Sequence, residues 1–531
     1  MANIGPTTTE MPTNQVSVYP KHMSYFCKRL NGFSKNTVRL NTQSSTTVNQ
    51  NGIISITLPS NTIVDLRSLA MFFECVPEVR ENATSTTEAD PVFPRFTTSL
   101  IERIQISVGG VSVGNAPNMN SAIAYLKQIA TMSNDKADAQ PSLWCSPQGY
   151  GQTVGAGSFR GATPAVPGSA PVGACFQRGV QQVAPLQNIV PNAAATPLVC
   201  GAGPVAPATG LNGGYQLSGN YPRSSAANGN ANPQYCVELF NGFVSESLPS
   251  VIDLAATGAV RLDILLSPAA VFMGMGRVAV GTTKAGQAPG SCNSYSLQNI
   301  FCYVDVISIA DGIYNSVLAS YLASGQSLKI PFTNYFNFVD TIPAGGFNTS
   351  LRVNVRSQNI RRIWNSWRAS NYNAGNQLVG ALANGNTTPY FHFGGNAGAE
   401  NFGSLQLQIN NVSVPSQPAQ AGTEIAYYNR KALNKMNNQL GSALADSIVV
   451  TDRSTTPVDM FYSCMGLDDR LGNGLRTLSG YSSSGTQTSI YVNLTARAGV
   501  ADVAEPLQHM CIVECVSMLL VGQNRQITVI S

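Results

Sequence analysis

The sequence predicts an all-β fold built from two copies of one β-sandwich domain, with a few short inserted helices. Two observations carry that prediction. Apolar and polar residues alternate with period two in many short segments, and one long stretch recurs in recognisable form further along the chain.

The alternation is clearest at Leu351 to Val355, Leu405 to Ile409 and Ile490 to Leu494, which read as strands with one buried face. Ile53 to Leu58, Leu69 to Val76, Val260 to Leu266 and Phe301 to Ile309 are apolar with few interruptions, as strands in a sandwich interior are. Helical spacing is confined to about Ser121 to Met132, Asp311 to Ala323 and Glu424 to Leu440.

The repeat aligns SLIERIQISVGGVSVGNAPNMNSAIAYLKQIA, Ser99 to Ala130, with SLQLQINNVSVPSQPAQAGTEIAYYNRKAL, Ser404 to Leu433. Each copy runs strand, two turn formers, Val-Ser-Val, a Pro-containing link and a helix. Within those helices Ile123-Ala124-Tyr125 answers Ile425-Ala426-Tyr427. Further on, Cys236 to Phe240 resembles Asp459 to Tyr462, Val260 to Leu266 matches Ile490 to Leu494, and Phe301 to Ile309 matches Cys511 to Leu519. The predicted division is an arm at 1–35, a first domain at 36–310, a linker helix at 311–325 and a second domain at 326–531. The first domain is the longer because of an insertion at 139–235, almost wholly Gly, Ala, Pro, Asn, Ser, Gln and Val. That composition cannot build a conventional core. Its scattered aromatics, among them Trp144, Tyr150 and Phe159, favour an ordered surface elaboration over a solvated linker.

Gly110-Val-Ser112-Val-Gly114 satisfies the G-x-S-x-G pattern of a hydrolase nucleophile elbow. The repeat argues against that chemistry. Gly109-Gly110 lies between Ile-Ser-Val and Val-Ser-Val, and its counterpart is Asn410-Asn411 with Pro415 in place of Gly114. Both pairs tolerate the positive φ of a two-residue hairpin turn. Gly109, Gly110, Asn410 and Asn411 are therefore assigned to structural turns. The three histidines, His22, His392 and His509, are isolated from one another and lack a second His or Cys at metal spacing. No phosphate-cradling GxxxxGK[ST] loop and no paired glycosidase carboxylates are legible. No catalytic residue, metal or cofactor is assigned.

Charged residues make up 11% of the 531 and hydrophobic ones 43%, against roughly 25% charge in an ordinary soluble chain. Subunit-interface centres are depleted in charge, so this composition favours an assembly subunit over a free monomer. A net charge of +4 is mild and does not mark a polyanion-binding protein, so any nucleic-acid contact is expected to be local. The arm holds the candidate inner-face or genome-facing residues Lys21, Lys28, Arg29 and Lys35. A second basic tract, with no acid between Asp340 and Glu400, contains Arg352, Arg356, Arg361, Arg362 and Arg368 with Trp364 and Trp367. Arg beside aromatics suits a polyanion, a protein interface or intramolecular ion pairs. The eleven scattered cysteines read as buried free thiols in a reducing compartment. Neither an export signal nor a membrane-spanning run is predicted.

NGIISITLPSNTIVDLRSLAMFFE, Asn51 to Glu74, followed by SLIERIQISVGGVSVG and the helix at Ala122 to Ile129, resembles the first half of double jelly-roll major capsid proteins, nearest those of polinton-like viruses and virophages. Phe301 to Phe338 resembles that family's passage from the first roll to the second. The resemblance implies two tandem eight-stranded jelly-roll β-sandwiches and a non-enzymatic role. It also implies a pseudo-hexameric homotrimeric capsomer of an icosahedral double-stranded DNA virus, assembled inside the host cell. The implied partners are the chain itself, neighbouring capsomers, penton and minor capsid proteins, and the genome or an internal membrane through the arm. It places the 139–235 insertion in an outer tower. The alternative from another class is a secreted carbohydrate-binding or glycosidase β-sandwich, since the same fold hosts lectins and enzymes.

Overall fold

The computed structural model describes residues 33–43, 45–77, 90–92, 96–114, 119–131, 234–238, 240–271, 273–275, 294–309, 312–344, 348–370, 372, 389–391, 393, 402–410, 412–420, 423–433, 462–468, 480–484, 489–496 and 506–530. The insertion before Gln234, together with Lys21, Lys28, Arg29 and Asn411, lies outside them.

The first roll comprises β1 (Phe33–Asn41), β2 (Ile53–Thr57), β3 (Ile63–Pro77), β4 (Ile101–Val108), β5 (Val111–Val113), β6 (Gln234–Val237), β7 (Val260–Leu266) and β8 (Tyr295–Ile309). The second comprises β9 (Leu328–Ile342), β10 (Thr349–Val353), β11 (Ile360–Ala369), β12 (Phe402–Ile409), β13 (Val412–Gln420), β14 (Ser463–Gly466), β15 (Ile490–Ala496) and β16 (Leu507–Val521). In the first roll the antiparallel sheets run β1-β8-β3-β6 and β2-β7-β4-β5; in the second they run β9-β16-β11-β14 and β10-β15-β12-β13. Counting from the start of each roll, both give 1-8-3-6 and 2-7-4-5. That order, with successive strands passing between two sheets, is the connectivity of a jelly roll. The chain is a double jelly roll whose eight main strands follow the same order in both halves; the first roll adds short strands at Val48–Asn49, Asp90–Val92, Val251–Asp253 and Met273–Met275.

Alternation decides which side of each strand is buried. Along β7, Val260, Leu262, Ile264 and Leu266 are buried, while Arg261 and Asp263 point the other way and pair with each other at 3.0 Å. Because side chains alternate strictly, slipping such a strand by one residue would carry its whole apolar set out of the core. The long pairs fix the rolls further. β1 runs against β8 from Phe33↔Ile309 to Asn41↔Phe301, and β9 against β16 from Leu328↔Val521 to Ile342↔Leu507. A last strand, β17 (Ile527–Ile530), folds back on the end of β16.

Three helices complete the frame: α1 (Asn120–Thr131) between β5 and β6, α2 (Gly312–Ala323) joining the rolls, and α3 (Thr423–Ala432) between β13 and β14. α1 and α3 occupy the same place in the two rolls, as the Ile-Ala-Tyr repeat predicts. Two boundaries differ from the sequence reading. The strand equivalent to β6 is Ser463–Gly466, directly after Asp459 to Tyr462, because the Asn429 side chain of α3 accepts from the Cys464 N–H at 2.6 Å and donates to the Tyr462 carbonyl at 3.1 Å, setting the strand start there. β1 begins at Phe33, so Lys35 is a strand residue whose Nζ lies 2.6 Å from Asp305 of β8.

Gly109 and Gly110 form the turn between β4 and β5, with φ of 55° and 85°, and Val108 pairs with Val111 across it. Asn410 takes the equivalent place between β12 and β13 with φ of 48°. Ser112 is an exposed strand residue opposite Ser107. The two glycines are not equivalent. A Cβ on Gly109 would lie 2.6 Å from Ile527 Cδ1 and 3.1 Å from the Thr257 carbonyl oxygen, whereas one on Gly110 meets nothing within 4 Å. Gly110→Ala should therefore cost about 1 kcal/mol, from positive φ alone. Gly109→Ala should cost measurably more in urea denaturation; equal losses would show that the packing of this turn on β17 contributes nothing.

Candidate functional site at the joint between the rolls

Among the described residues, a dense cluster of buried and half-buried polar groups lies where the first roll meets the second. On β11, Trp364 and Trp367 sit three residues apart and so face opposite sides of their sheet. Trp367 points into the sandwich against Phe402 of β12, with ring centroids 5.1 Å apart. Trp364 belongs to the other face. Cross-strand partners share a face, and the registers Tyr335↔Glu514↔Arg362 put these three side chains in one row across β9, β16 and β11.

Glu514 is the centre of that row and is buried. Its Oε2 accepts from Trp364 Nε1 at 3.3 Å and lies 3.5 Å from Arg362 Nη1, while Oε1 lies 3.6 Å from Arg361 Nη1. Arg361 also reaches Asp468, just after β14, at 3.5 Å. Burial pushes the Glu514 carboxyl up, but Arg362, Lys127 and Arg361 together outweigh it and hold the group below the ordinary carboxylate range.

Lys127 comes from α1, in the first roll. It is ion-paired with Glu246 of the helical turn Phe243–Glu246, donates to Tyr335 Oη at 2.5 Å, and stands 4.9 Å from the Tyr335 ring centroid. Tyr335 Oη in turn donates to Glu246 Oε2 at 2.8 Å. Burial, followed by Glu246, pushes the Tyr335 phenol well above its ordinary value. The Leu248 N–H donates to the Pro331 carbonyl at 2.8 Å, and Phe243 meets Phe332 edge to face at 5.3 Å.

A second cluster binds the rolls along the same joint. Glu102 of β4 accepts from Ser121 Oγ at 2.7 Å and from Tyr390 Oη of the second roll at 2.8 Å. Burial raises its carboxyl despite these bonds. Arg368, 1% exposed, donates to the Tyr390 carbonyl at 3.1 Å and to Gln508 at 2.8 Å, with its guanidinium 3.3 Å from the Tyr372 ring centroid. Tyr125 of α1 stacks on Phe391 at 4.5 Å and 6°, with Phe393 at its edge. The directional bonds of the two clusters fix one orientation of roll on roll.

Of the alternatives left open for the second basic tract, Arg361 and Arg362 take intramolecular ion pairs, with Glu514 and Asp468. Arg362 and both tryptophans are buried, so neither ring is placed to stack on a base. Arg352 on β10 and Arg356 after it remain exposed. The groups that sequence reasoning did not bring together are Glu514, Lys127, Glu246, Tyr335, Glu102 and Tyr390. One signal was available, namely a lone acid in the apolar run Met510 to Val521.

Among the described residues no group of three or more His, Cys, Asp or Glu is placed to hold a metal, and no helix is long and apolar enough to cross a membrane. The six described cysteines are buried, and Cys236, Cys302, Cys511 and Cys515 are free; burial pushes the Cys236, Cys302 and Cys515 thiols up to about 12.

The site and fold so defined are those of a double jelly roll locked by an internal joint. Solved chains with a similar course include three from viruses. The PBCV-1 VP54 structure fitted into a reconstruction of the virophage Sputnik is 11% identical, covering 94% of this chain and 96% of that one, with a TM-score of 0.48. The Faustovirus major capsid protein is 12% identical over 92% and 90%, with a TM-score of 0.48. The mavirus major capsid protein is 8% identical over 99% and 93%, with a TM-score of 0.40. No protein-family model and no curated protein sequence matches the chain.

Proposed function

We propose that this chain is a major capsid protein of an icosahedral double-stranded DNA virus, assembling as a homotrimeric capsomer in which six rolls occupy a pseudo-hexagonal position. One observation carries the reading: two rolls of identical connectivity are joined in one chain and locked by a buried ionic and aromatic joint. Such a joint makes the chain a rigid two-roll block with a fixed angle, which a tiling unit requires and a soluble binding module does not. The charge-poor composition supports it, because surface spent in contacts needs little charge.

In this reading neighbouring capsomers, penton and minor capsid proteins are the partners. The basic residues Lys21, Lys28 and Arg29 face the genome or an internal membrane, and the 139–235 insertion forms an outer tower. Light scattering after size exclusion tests the core of it. A stable trimer is the expected result; a monomer with affinity for a sugar would favour the lectin-like alternative and overturn the capsid reading.

A further inference from the structure

The interior of the second roll contains a polar row that the first roll lacks. Trp367 points inward against Phe402, so Asn365, two residues before it on β11, faces inward as well. Strand pairing sets Cys511 of β16 on one side of Asn365 and Ser463 of β14 on the other. His509, two residues before Cys511, shares that face. In the first roll the inner row across the equivalent strands β8, β3 and β6 is Cys302, Met71 and Val237. One row is apolar from end to end; the other puts an amide beside a hydroxyl.

Asn365, Ser463, His509 and Cys511 are all 0% exposed. Their hydrogen bonds do not close. His509 Nε2 lies 3.2 Å from Asn365 Oδ1, which engages one ring nitrogen and one end of the amide. Asn365 Nδ2, Ser463 Oγ and His509 Nδ1 find no hydrogen-bond partner among the described residues. Turning the amide over, or moving the imidazole proton to the other nitrogen, exchanges the roles and leaves the same number of atoms unanswered. A buried amide or hydroxyl without a partner is destabilising, and a group of them in one patch points to a ligand. Asn365 and Ser463 are direct cross-strand neighbours, so their Cβ atoms lie about 5 Å apart. One small molecule can reach both polar atoms.

We propose that the second roll binds an ordered water molecule between Asn365 and Ser463, hydrogen-bonded to Nδ2 of the one and Oγ of the other. Water fits the chemistry of the two anchors. It accepts from the amide and either donates to the hydroxyl or accepts from it, and two polar partners are enough to hold a buried molecule. An ion would need a counter-charge to be buried here, and neither anchor carries one. Asp340, which stands beyond His509 on β9, is engaged by the Thr341 N–H and the Thr349 hydroxyl. The anchors are held from outside as well: Asn429 of α3 bonds the backbone on either side of Ser463, at the Tyr462 carbonyl and the Cys464 N–H, and so fixes the Ser463 side chain toward the interior. Because both anchors are fully enclosed, the molecule exchanges with solvent only when the roll opens. It takes the place of the packing that Met71 and Val237 supply in the first roll. Two rolls of the same strand order therefore differ inside, one apolar and the other hydrated along this row.

A crystal structure of the intact chain, at a resolution that orders internal water, tests this without any substitution. The expected result is a density peak within hydrogen-bonding distance of both Asn365 Nδ2 and Ser463 Oγ. A direct bond between amide and hydroxyl, or an empty gap between them, overturns the proposal. Ser463→Ala gives an independent reading in solution. With water in place, the substitution removes one of its two anchors, so the urea midpoint should fall and one slowly exchanging molecule should disappear from the water deuteron relaxation profile. Without water, the substitution only deletes an unanswered hydroxyl. A midpoint that stays level or rises, or a variant that keeps every slow water of the wild-type chain, therefore overturns the proposal. Neither measurement depends on the oligomeric state, so the capsomer reading stands or falls separately.

Discussion

Replacing Glu514 by alanine should destabilise the chain by about 3–5 kcal/mol, the cost of leaving a buried charge without its counter-charge. Three cations converge on this carboxylate. Arg362 and Arg361 come from β11, and Lys127 acts on it from the first roll. Removing the carboxylate leaves Arg362, 8% exposed, beside a tryptophan N–H that has lost its acceptor. Glu514→Gln keeps the volume and an acceptor for Trp364 but removes the charge, so it should recover only part of the loss. Replacing the pair together, Glu514→Leu with Arg362→Met, should restore stability toward wild type, because a well-packed apolar pair is often as stable as a buried ion pair. Urea denaturation of the four proteins reads this directly. A loss below about 1 kcal/mol for Glu514→Ala would mean that water reaches the cluster and that the pair behaves as a surface one. The sign with pH follows from the direction of the shift. The folded-state pKa is depressed below 4.5, so the contribution is present at neutral pH and is lost as pH falls through the folded value.

The strands and the duplication were legible because they are local and periodic, whereas which strands pair with which was not. Val260 to Leu266 shows its buried face in the spelling VRLDILL, and Gly109-Gly110 shows its turn through the φ that only certain residues adopt. The joint was not legible, for a physical reason. Lys127, Glu246, Tyr335, Glu102 and Tyr390 are scattered along the chain and meet only because two rolls dock; no spacing rule connects them. The basic tract stayed open between a polyanion site, a protein interface and intramolecular ion pairs for the same cause. Arg361, Arg362, Trp364 and Trp367 look like a surface for polyanions when their neighbours in sequence are inspected, because the acid that neutralises the two arginines comes from β16 and arrives by strand pairing. Trp367 was ambiguous for another reason: an aromatic ring in an alternating strand is equally suited to a core or an interface until its sheet has a second layer over it.

Acid should weaken the second roll in two separable steps, and His509 should act first. It lies on β16 between Asp340 of β9 and Trp367 of β11, wholly buried, with Nε2 3.2 Å from Asn365 Oδ1. Burial lowers its pKa from 6.5 to about 4, with Asp340 opposing weakly. The imidazole is therefore neutral in the folded chain over a range in which the unfolded chain binds a proton. With more protons on the unfolded state, stability rises with pH across that range. It is full above 6.5 and falls as pH drops to about 4, by about 3 kcal/mol at 1.36 kcal/mol per unit. His509→Gln, which cannot take up a proton, should flatten the stability profile between pH 4 and 6.5 while leaving the lower-pH loss belonging to Glu514 in place. Denaturation midpoints at half-unit steps distinguish the two. A wild-type profile already flat through this interval would show that His509 stays solvated or protonated in the folded roll. The core beneath β11 and β16 is then the first part of the second roll to soften on mild acidification, before the ionic joint that holds roll to roll.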